Sequence, residues 1–371
     1  MTTLILTGNA GSGVAIAACG AALHAAAAGR RTLLVSFGSP QHLAALLGVA
    51  PAAEPAPAAP GLDALALDPL AEMATAWTRG RAQLPDQLAR IPPDELPLLP
   101  GSDVFLGLAR LGTLLPRYET VVVDAGPHET VLRTLATPDS LRWLVRLLLG
   151  LDRGPGRSPG SAARALLPTT FIPADLRDRA QDLRIQAEEA RGALVEPGRT
   201  AVQYVLRPDG PALADAQLAI PALHLHGLAV AALLVGPGLP TDVADPRLAP
   251  LAARQAALIE AARAHWPDLP VLPFEQVEEG PEGLRATGAA LAGAPVAAAP
   301  PILYQYEGAP AVAIRMPGLP RGALQLTLSG DELIIRVGPY RRHILLPEGL
   351  RGHNDIRATR EGEQLVVRRR A

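Results

Sequence analysis

The chain has 371 residues, and its 34 basic side chains nearly balance 36 acidic ones, for a net charge of −2. That length suits two domains at roughly 100–200 residues each. The charge balance excludes the basic excess of a nucleic-acid binder and the basic tail of a membrane-surface protein. Hydrophobic residues make up 49% but aromatics only 3%, so Ala, Leu and Val must build the core. The single Cys19 excludes an intramolecular disulfide and a Cys-rich zinc site; inside an apolar helix it reads as a small core residue. The opening Met-Thr-Thr-Leu-Ile-Leu lacks the basic region of a signal peptide. The apolar run Val14–Ala28 is shorter than the about 20 residues that span a bilayer. The expectation is a cytoplasmic protein with no integral membrane segment.

In chain order, an apolar strand, Thr3–Thr7, runs into Gly8-Asn9-Ala10-Gly11-Ser12-Gly13-Val14-Ala15 and then into an alanine-rich helix, Val14–Ala28. Strand, glycine-rich turn and helix N-terminus are the frame of a phosphate-binding loop. In such a loop a Lys after the last Gly reaches the β- and γ-phosphates, and the next residue's hydroxyl holds Mg²⁺. Here those positions are Val14 and Ala15, and no lysine occurs anywhere in the chain. Only weak anion binding by the loop's backbone N–H groups is expected.

Further strands are predicted at Thr32–Ser36, Thr120–Asp124, Thr169–Ile172, Thr200–Leu206, Ala229–Val235 and Leu269–Leu272. Helices are predicted at Pro69–Ala89, Ser102–Leu115, Glu129–Leu149, Pro173–Leu194, Pro211–Leu225 and Pro246–Ala264. Short buried strands alternating with amphipathic helices give an α/β fold, a doubly wound and mostly parallel sheet of the P-loop NTPase kind. Ala50–Pro60 and Asp152–Gly160 read as surface loops. Residues 293–301 read as a linker between a domain at 1–292 and a second at 302–371. Beyond Ile302 the period becomes two: Leu324–Leu328, the turn Gly330-Asp331, Leu333–Val337, then His343–Leu346, Asp355–Thr359 and Gln364–Arg368. That pattern predicts a small antiparallel β-sandwich.

The run Thr120-Val121-Val122-Val123-Asp124-Ala125-Gly126-Pro127-His128-Glu129-Thr130-Val131-Leu132-Arg133 resembles switch II of the ArsA family, which contains arsenite-pump ATPases and targeting ATPases for tail-anchored membrane proteins. Asp124, Pro127, Leu132 and Arg133 match the family pattern without a gap. Leu67-Asp68-Pro69, Leu99-Pro100-Gly101 and Pro273-Phe274-Glu275 resemble its other landmarks, and the likeness covers nearly all of residues 1–292. The tail resembles an α-crystallin-like (small heat-shock protein) domain through Met316-Pro317-Gly318-Leu319, Ser329–Ile335 and Arg341–Pro347.

Set against that family, the glycines at 8, 11 and 13 remain. Its cross-dimer lysine is Asn9, its phosphate lysine Val14, its Mg²⁺ hydroxyl Ala15, and its adenine-contacting Asn Gly236. Its switch I carboxylate is missing from Gly38-Ser39-Pro40-Gln41-His42, and its paired metal-binding cysteines are absent. Asp124 fits a remnant Mg²⁺-water ligand; without the loop hydroxyl, a structural role bonding loop N–H groups is expected. His42 and His128 have no accompanying nucleophile, and His224 and His226 no third ligand, so no catalytic residue and no metal site are expected. The resemblance places a helical subdomain at about 69–115, where the family lines a client groove; Met73, Trp77 and Phe105 are the candidates there.

These readings imply a homodimeric pseudo-ATPase that requires no cofactor and binds hydrophobic protein segments in a chaperone-like role, with no nucleic-acid partner. Two alternatives stay open: a working ATPase that uses ATP and Mg²⁺, and a structural partner of an intact homologue.

Overall fold

In the computed structural model the described residues are 2–48, 54–83, 86–97, 102–149, 185, 189, 191–192, 195–196, 198–240, 242–276, 280–353 and 355–370. Two compact units divide the chain: one comprises residues 1–134, 198–216 and 230–298, the other 135–197, 217–229 and 299–371.

The first unit is built on an eight-stranded sheet. Its strands are β1 (Thr2–Gly8), β2 (Thr32–Ser36), β3 (Ala56–Ala59), β4 (Leu62–Ala66), β5 (Thr120–Pro127), β6 (Thr200–Leu206), β7 (Val230–Gly238) and β8 (Val271–Glu275), in the order β3-β4-β2-β5-β1-β6-β7-β8. All neighbours pair in parallel except the β3–β4 hairpin. The central strands are short and rich in Val and Leu, and β2 and β6 are buried end to end, as a sheet covered on both faces requires. The carboxyl ends of β1, β2, β5 and β6 therefore lie along one edge, where ligands of open α/β sheets bind.

Helices among the described residues include α1 (Val14–Ala27), α2 (Pro40–Leu47), α3 (Pro69–Gly80), α4 (Asp86–Ala89), α5 (Ser102–Leu114), α6 (His128–Leu149), α7 (Gly210–Leu225), α8 (Ala249–His265) and α9 (Pro281–Ala290). Caps fix several starts. Asp68 accepts from the N–H groups of Leu70 and Ala71 ahead of Pro69, and Asp209 accepts from Ala212 N–H at 2.8 Å, so both acids satisfy otherwise orphaned helix donors. Helix α1 crosses α9 at Gly20 and Gly288; a Cβ on Gly288 would lie 2.3 Å from the Gly20 carbonyl oxygen. Cys19 is fully buried in this alanine-rich core.

Sequence and structure differ at identifiable places. The stretch Ala50–Pro60, read as a loop, contains edge strand β3, and β4 went unread because Leu-Asp-Ala-Leu-Ala has little β-propensity. The predicted helix 69–89 is broken into α3, a 3₁₀ turn and α4. The expected strand Thr169–Ile172, the loop Asp152–Gly160 and most of helix Pro173–Leu194 lie outside the described residues.

The second unit holds a four-stranded sheet ordered β14-β15-β10-β9 and a three-stranded sheet ordered β11-β12-β13. These are β9 (Ile302–Tyr306), β10 (Ala309–Arg315), β11 (Leu324–Ser329), β12 (Glu332–Val337), β13 (Tyr340–Leu345), β14 (Ile356–Glu361) and β15 (Gln364–Arg369), all paired antiparallel. Their shared core is Val312, Ile314, Leu333, Ile335, Val337, Leu365 and Val367, and it also takes in Leu225 at the end of α7. Buried Arg342 donates to the Leu225 carbonyl, and His343 N–H donates to Asp139 of α6 at 3.2 Å. The tail's core is thus shared with helical segments that precede residue 302. Among the described residues, no helix is long and apolar enough to cross a membrane.

Candidate functional site

The loop between β1 and α1 adopts the expected turn. Gly11 and Gly13 both take φ of 75°, a region that strains any residue with a Cβ. Ser12 N–H closes the turn on the Asn9 carbonyl at 3.1 Å. Gly8 is pressed so closely on β6 that a Cβ would fall 1.9 Å from the Val205 carbonyl oxygen. Ala10 and Gly11 are exposed at the tip, Gly13 and Ala15 half-buried, and Asn9 and Ser12 buried. Val14, at the position of a phosphate-binding lysine, is 7% exposed and belongs to the hydrophobic core.

The protein's own groups hold this loop. Asn9 donates through Nδ2 to Asp215 Oδ2 at 2.9 Å and to the Ala212 carbonyl at 3.4 Å, both on α7. Arg207, just past β6, donates to the Ala10 carbonyl at 3.1 Å and pairs with Asp209. His128, fully buried at the start of α6, sets Nδ1 3.0 Å from the Gly8 carbonyl oxygen and 3.1 Å from the Tyr204 hydroxyl. Its Nε2 lies 3.5 Å from Asp215 Oδ2.

Asp124 lies within β5 and Pro127 ends it, opposite Gly8 in the sheet register. The buried Asp124 carboxylate takes the Ser36 hydroxyl at 2.7 Å and Gly126 N–H at 3.3 Å. Burial pushes its pKa up, opposed by those two hydrogen bonds and by nearby His42. In the switch I stretch, Ser39 caps α2 by accepting from His42 N–H at 3.4 Å. His42 is exposed whereas His128 is buried, which does not make an acid–base pair. At the end of β7, a Cβ on Gly236 would meet the Phe274 carbonyl oxygen at 2.4 Å and the Phe274 ring at 2.8 Å, so position 236 has no room for a side chain reaching a base.

Met73 and Trp77 lie half-buried on α3, a helix with no fully buried residue, and Leu70 beside them is 59% exposed. Trp77 donates through Nε1 to the Ile91 carbonyl at 2.9 Å. Phe105 falls in α5, its side chain outside the described residues. His224 and His226 are both buried. Among the described residues, the group with metal-ligand spacing is instead His128, Glu129 and Asp215.

Sequence reasoning missed Tyr204, Arg207 and Asp215. Arg207 had a signal, since Arg207-Pro208-Asp209-Gly210 directly follows a buried parallel strand and so must lie at the ligand edge of the sheet. Asp215, one acid on an alanine-rich helix, had none.

Residues 1–287 match the profile of a family described as anion-transporting ATPase, and residues 307–368 match an HSP20-like domain found in ArsA. An uncharacterized protein of Streptomyces coelicolor is 33% identical over 95% of this chain and 93% of its own length. A Mycobacterium tuberculosis protein is 28% identical over 98% and 94%. A Chlorobaculum tepidum protein named as an arsenical pump-driving ATPase is 22% identical over 95% and 92%.

Proposed function

Because this chain belongs to the anion-transporting ATPase family, we propose that it is a non-hydrolysing member, a homodimeric pseudo-ATPase that holds apolar polypeptide segments in a chaperone-like way. The observation that carries the first half is the state of the loop at 8–15. Its lysine position is filled by a core valine, and its other contacts are made by Asn9, Arg207 and His128 of the chain itself.

The groups present do not fit a magnesium–nucleotide complex. No ammonium or hydroxyl follows Gly13, and Asp124 is engaged by Ser36 and Gly126. The space beside Gly236 is taken by Phe274. Phosphoryl transfer depends on placed charge, and one missing electrostatic element costs about 10²–10³ in rate. Losses of several elements leave no useful turnover even where their effects overlap.

The second half is supported by α3. A helix that leaves Leu70, Met73 and Trp77 incompletely buried offers soft, adaptable apolar surface. The HSP20-like domain at 307–368 is consistent with polypeptide handling. With no nucleotide to discriminate between two states, capture has no switch, since a ligand shifts an equilibrium only by differential affinity.

The test pairs two measurements on the full chain. Phosphate release from ATP with Mg²⁺ should match a protein-free blank, and capture of a labelled apolar peptide should be the same with and without ATP. Mg²⁺-dependent release proportional to protein concentration would overturn the non-hydrolysing reading. Absence of capture would overturn the client-binding one.

A further inference from the structure

We propose that His128, Glu129 and Asp215 form a binding site for one divalent transition-metal ion of the zinc class. One ligand atom from each of the three lies within 4.8 Å of the other two. The best-defined pair, His128 Nε2 and Asp215 Oδ2, is 3.5 Å apart. Two ligands each about 2.0–2.1 Å from a tetrahedral ion are separated by roughly 3.3 Å, so this pair is spaced to share a metal with little movement.

The ring of His128 is oriented as a metal ligand's ring would be. Nδ1 lies 3.0 Å from the Gly8 carbonyl oxygen, and a carbonyl only accepts. A hydrogen bond to that carbonyl uses Nδ1 as the donor, which leaves Nε2 as the nitrogen that faces Asp215. A backbone carbonyl that fixes the tautomer of the ligating imidazole is the usual outer support of a metal site. The Tyr204 hydroxyl, 3.1 Å from Nδ1, holds the ring from a second direction. Nε2 faces the Asp215 carboxylate, and a cation between them makes that arrangement favourable; Glu129 Oε2 lies nearest Nδ1, at 3.8 Å, and joins the ion by rotating its half-exposed side chain.

Asn9 supplies the independent observation. Its Nδ2 donates to the same Asp215 Oδ2, which fixes that oxygen. Its Oδ1 is buried with no hydrogen-bond partner, on a residue only 5% exposed. The same amide group that bonds Asp215 thus keeps a buried acceptor that a water on the ion would satisfy. The Glu129 and Asp215 side chains are 37% and 44% exposed, which leaves the ion a path from solvent. One imidazole with two carboxylates suits Zn²⁺ or Co²⁺ better than Mg²⁺ or Ca²⁺, which prefer all-oxygen shells. Such an ion would staple the starts of α6 and α7 across the loop at Asn9. The inference stands whether or not the chain hydrolyses ATP.

The experiment uses the full chain, stripped with chelator and titrated with Zn²⁺ by calorimetry and with Co²⁺ by visible absorption. One ion per chain is expected, with cobalt bands of a nitrogen–oxygen site. Asp215→Asn and Glu129→Gln, both at partly exposed positions and nearly isosteric, should each weaken binding at least about tenfold with an unchanged circular-dichroism spectrum. His42→Ala, at an exposed histidine elsewhere, should leave binding unchanged. Failure of the wild type to take up zinc stoichiometrically would overturn the site. Equal affinity in the wild type and both carboxylate variants would also overturn it, and would assign any uptake to surface histidines.

Discussion

The hydroxyl of Ser36 donates to Asp124 Oδ2 across the β2–β5 ladder at 2.7 Å, and both residues are buried in directly opposed register positions. The acid that resembles a magnesium ligand is thereby engaged in joining two strands. The same carboxylate is costly to ionise, since burial raises its pKa.

A raised acid pKa means that the folded state holds the proton more tightly than the unfolded chain. This group's contribution to stability is then greatest at low pH and is lost as pH rises from the ordinary carboxylate range through the folded value. Asp124→Asn removes the titration while its amide still bonds Ser36. The variant, which keeps the Ser36 bond but loses the longer one from Gly126 N–H, should show a flatter dependence of stability on pH above 4. Urea unfolding at several pH values checks this, and a large loss at pH 7 would show that the ionised carboxylate is required.

The crossing of α1 and α9 gives a second expectation. Gly288→Ala would gain up to about 1 kcal/mol of helix propensity. The new methyl would sit 2.3 Å from the Gly20 carbonyl oxygen, and overpacking of that kind costs about 1–3 kcal/mol. Sterics should win, so the variant melts lower than the wild type. Gly112→Ala on α5, where a Cβ meets nothing within 4 Å, should instead gain about 0.5–1 kcal/mol. Parallel thermal unfolding of the two variants separates packing from propensity.

Most of the sheet was legible in the sequence because its central strands are largely buried and read as short, mainly apolar runs. Thr32–Ser36 and Thr200–Leu206 are found at the residues predicted. Periodicity failed for β3 and β4, whose Ala-rich sequences lack the β-branched side chains that mark a strand. The Gly8–Gly13 turn was legible because only glycine suits its left-handed positions. The groups that hold the loop were not, because Asn9, His128 and Asp215 are distant in sequence and meet only through the order of β5, β1 and β6. The sharing of the tail's core with α7 was equally invisible. Leu218 and Leu225 are ordinary helix leucines until the sheets are placed against them.

That shared core sets a third expectation. His226 is buried, and burial, followed by the nearby Arg342 and Arg191, holds its pKa well below the usual 6.5. The folded state therefore resists a proton that the unfolded chain accepts, so stability is lost as pH falls below about 6.5. His226→Leu should flatten the acid side of the profile between pH 6.5 and 5, as followed by hydrogen exchange of β12 and β13. For the same reason a fragment comprising residues 302–371 alone, which lacks Leu225, should exchange faster than the same strands in the full chain. Equal protection would show that the tail folds without the helices.

The last expectation concerns restoring the missing lysine. Val14 is the first residue of α1 and packs in the core of the first unit at 7% exposure. Val14→Lys gives up that burial, worth about 2 kcal/mol, and sets an ammonium at a helix N-terminus, where the macrodipole opposes it. Pairing it with Ala15→Thr returns a hydroxyl, but Asp124 remains bonded to Ser36 and Gly236 remains closed by Phe274. The double variant should therefore unfold at lower urea concentration than the wild type and still release phosphate no faster than a blank. A double variant that is as stable as the wild type and hydrolyses ATP with Mg²⁺ would mean that the loop opens to nucleotide once its lysine is supplied. The non-hydrolysing reading would then rest on two side chains alone.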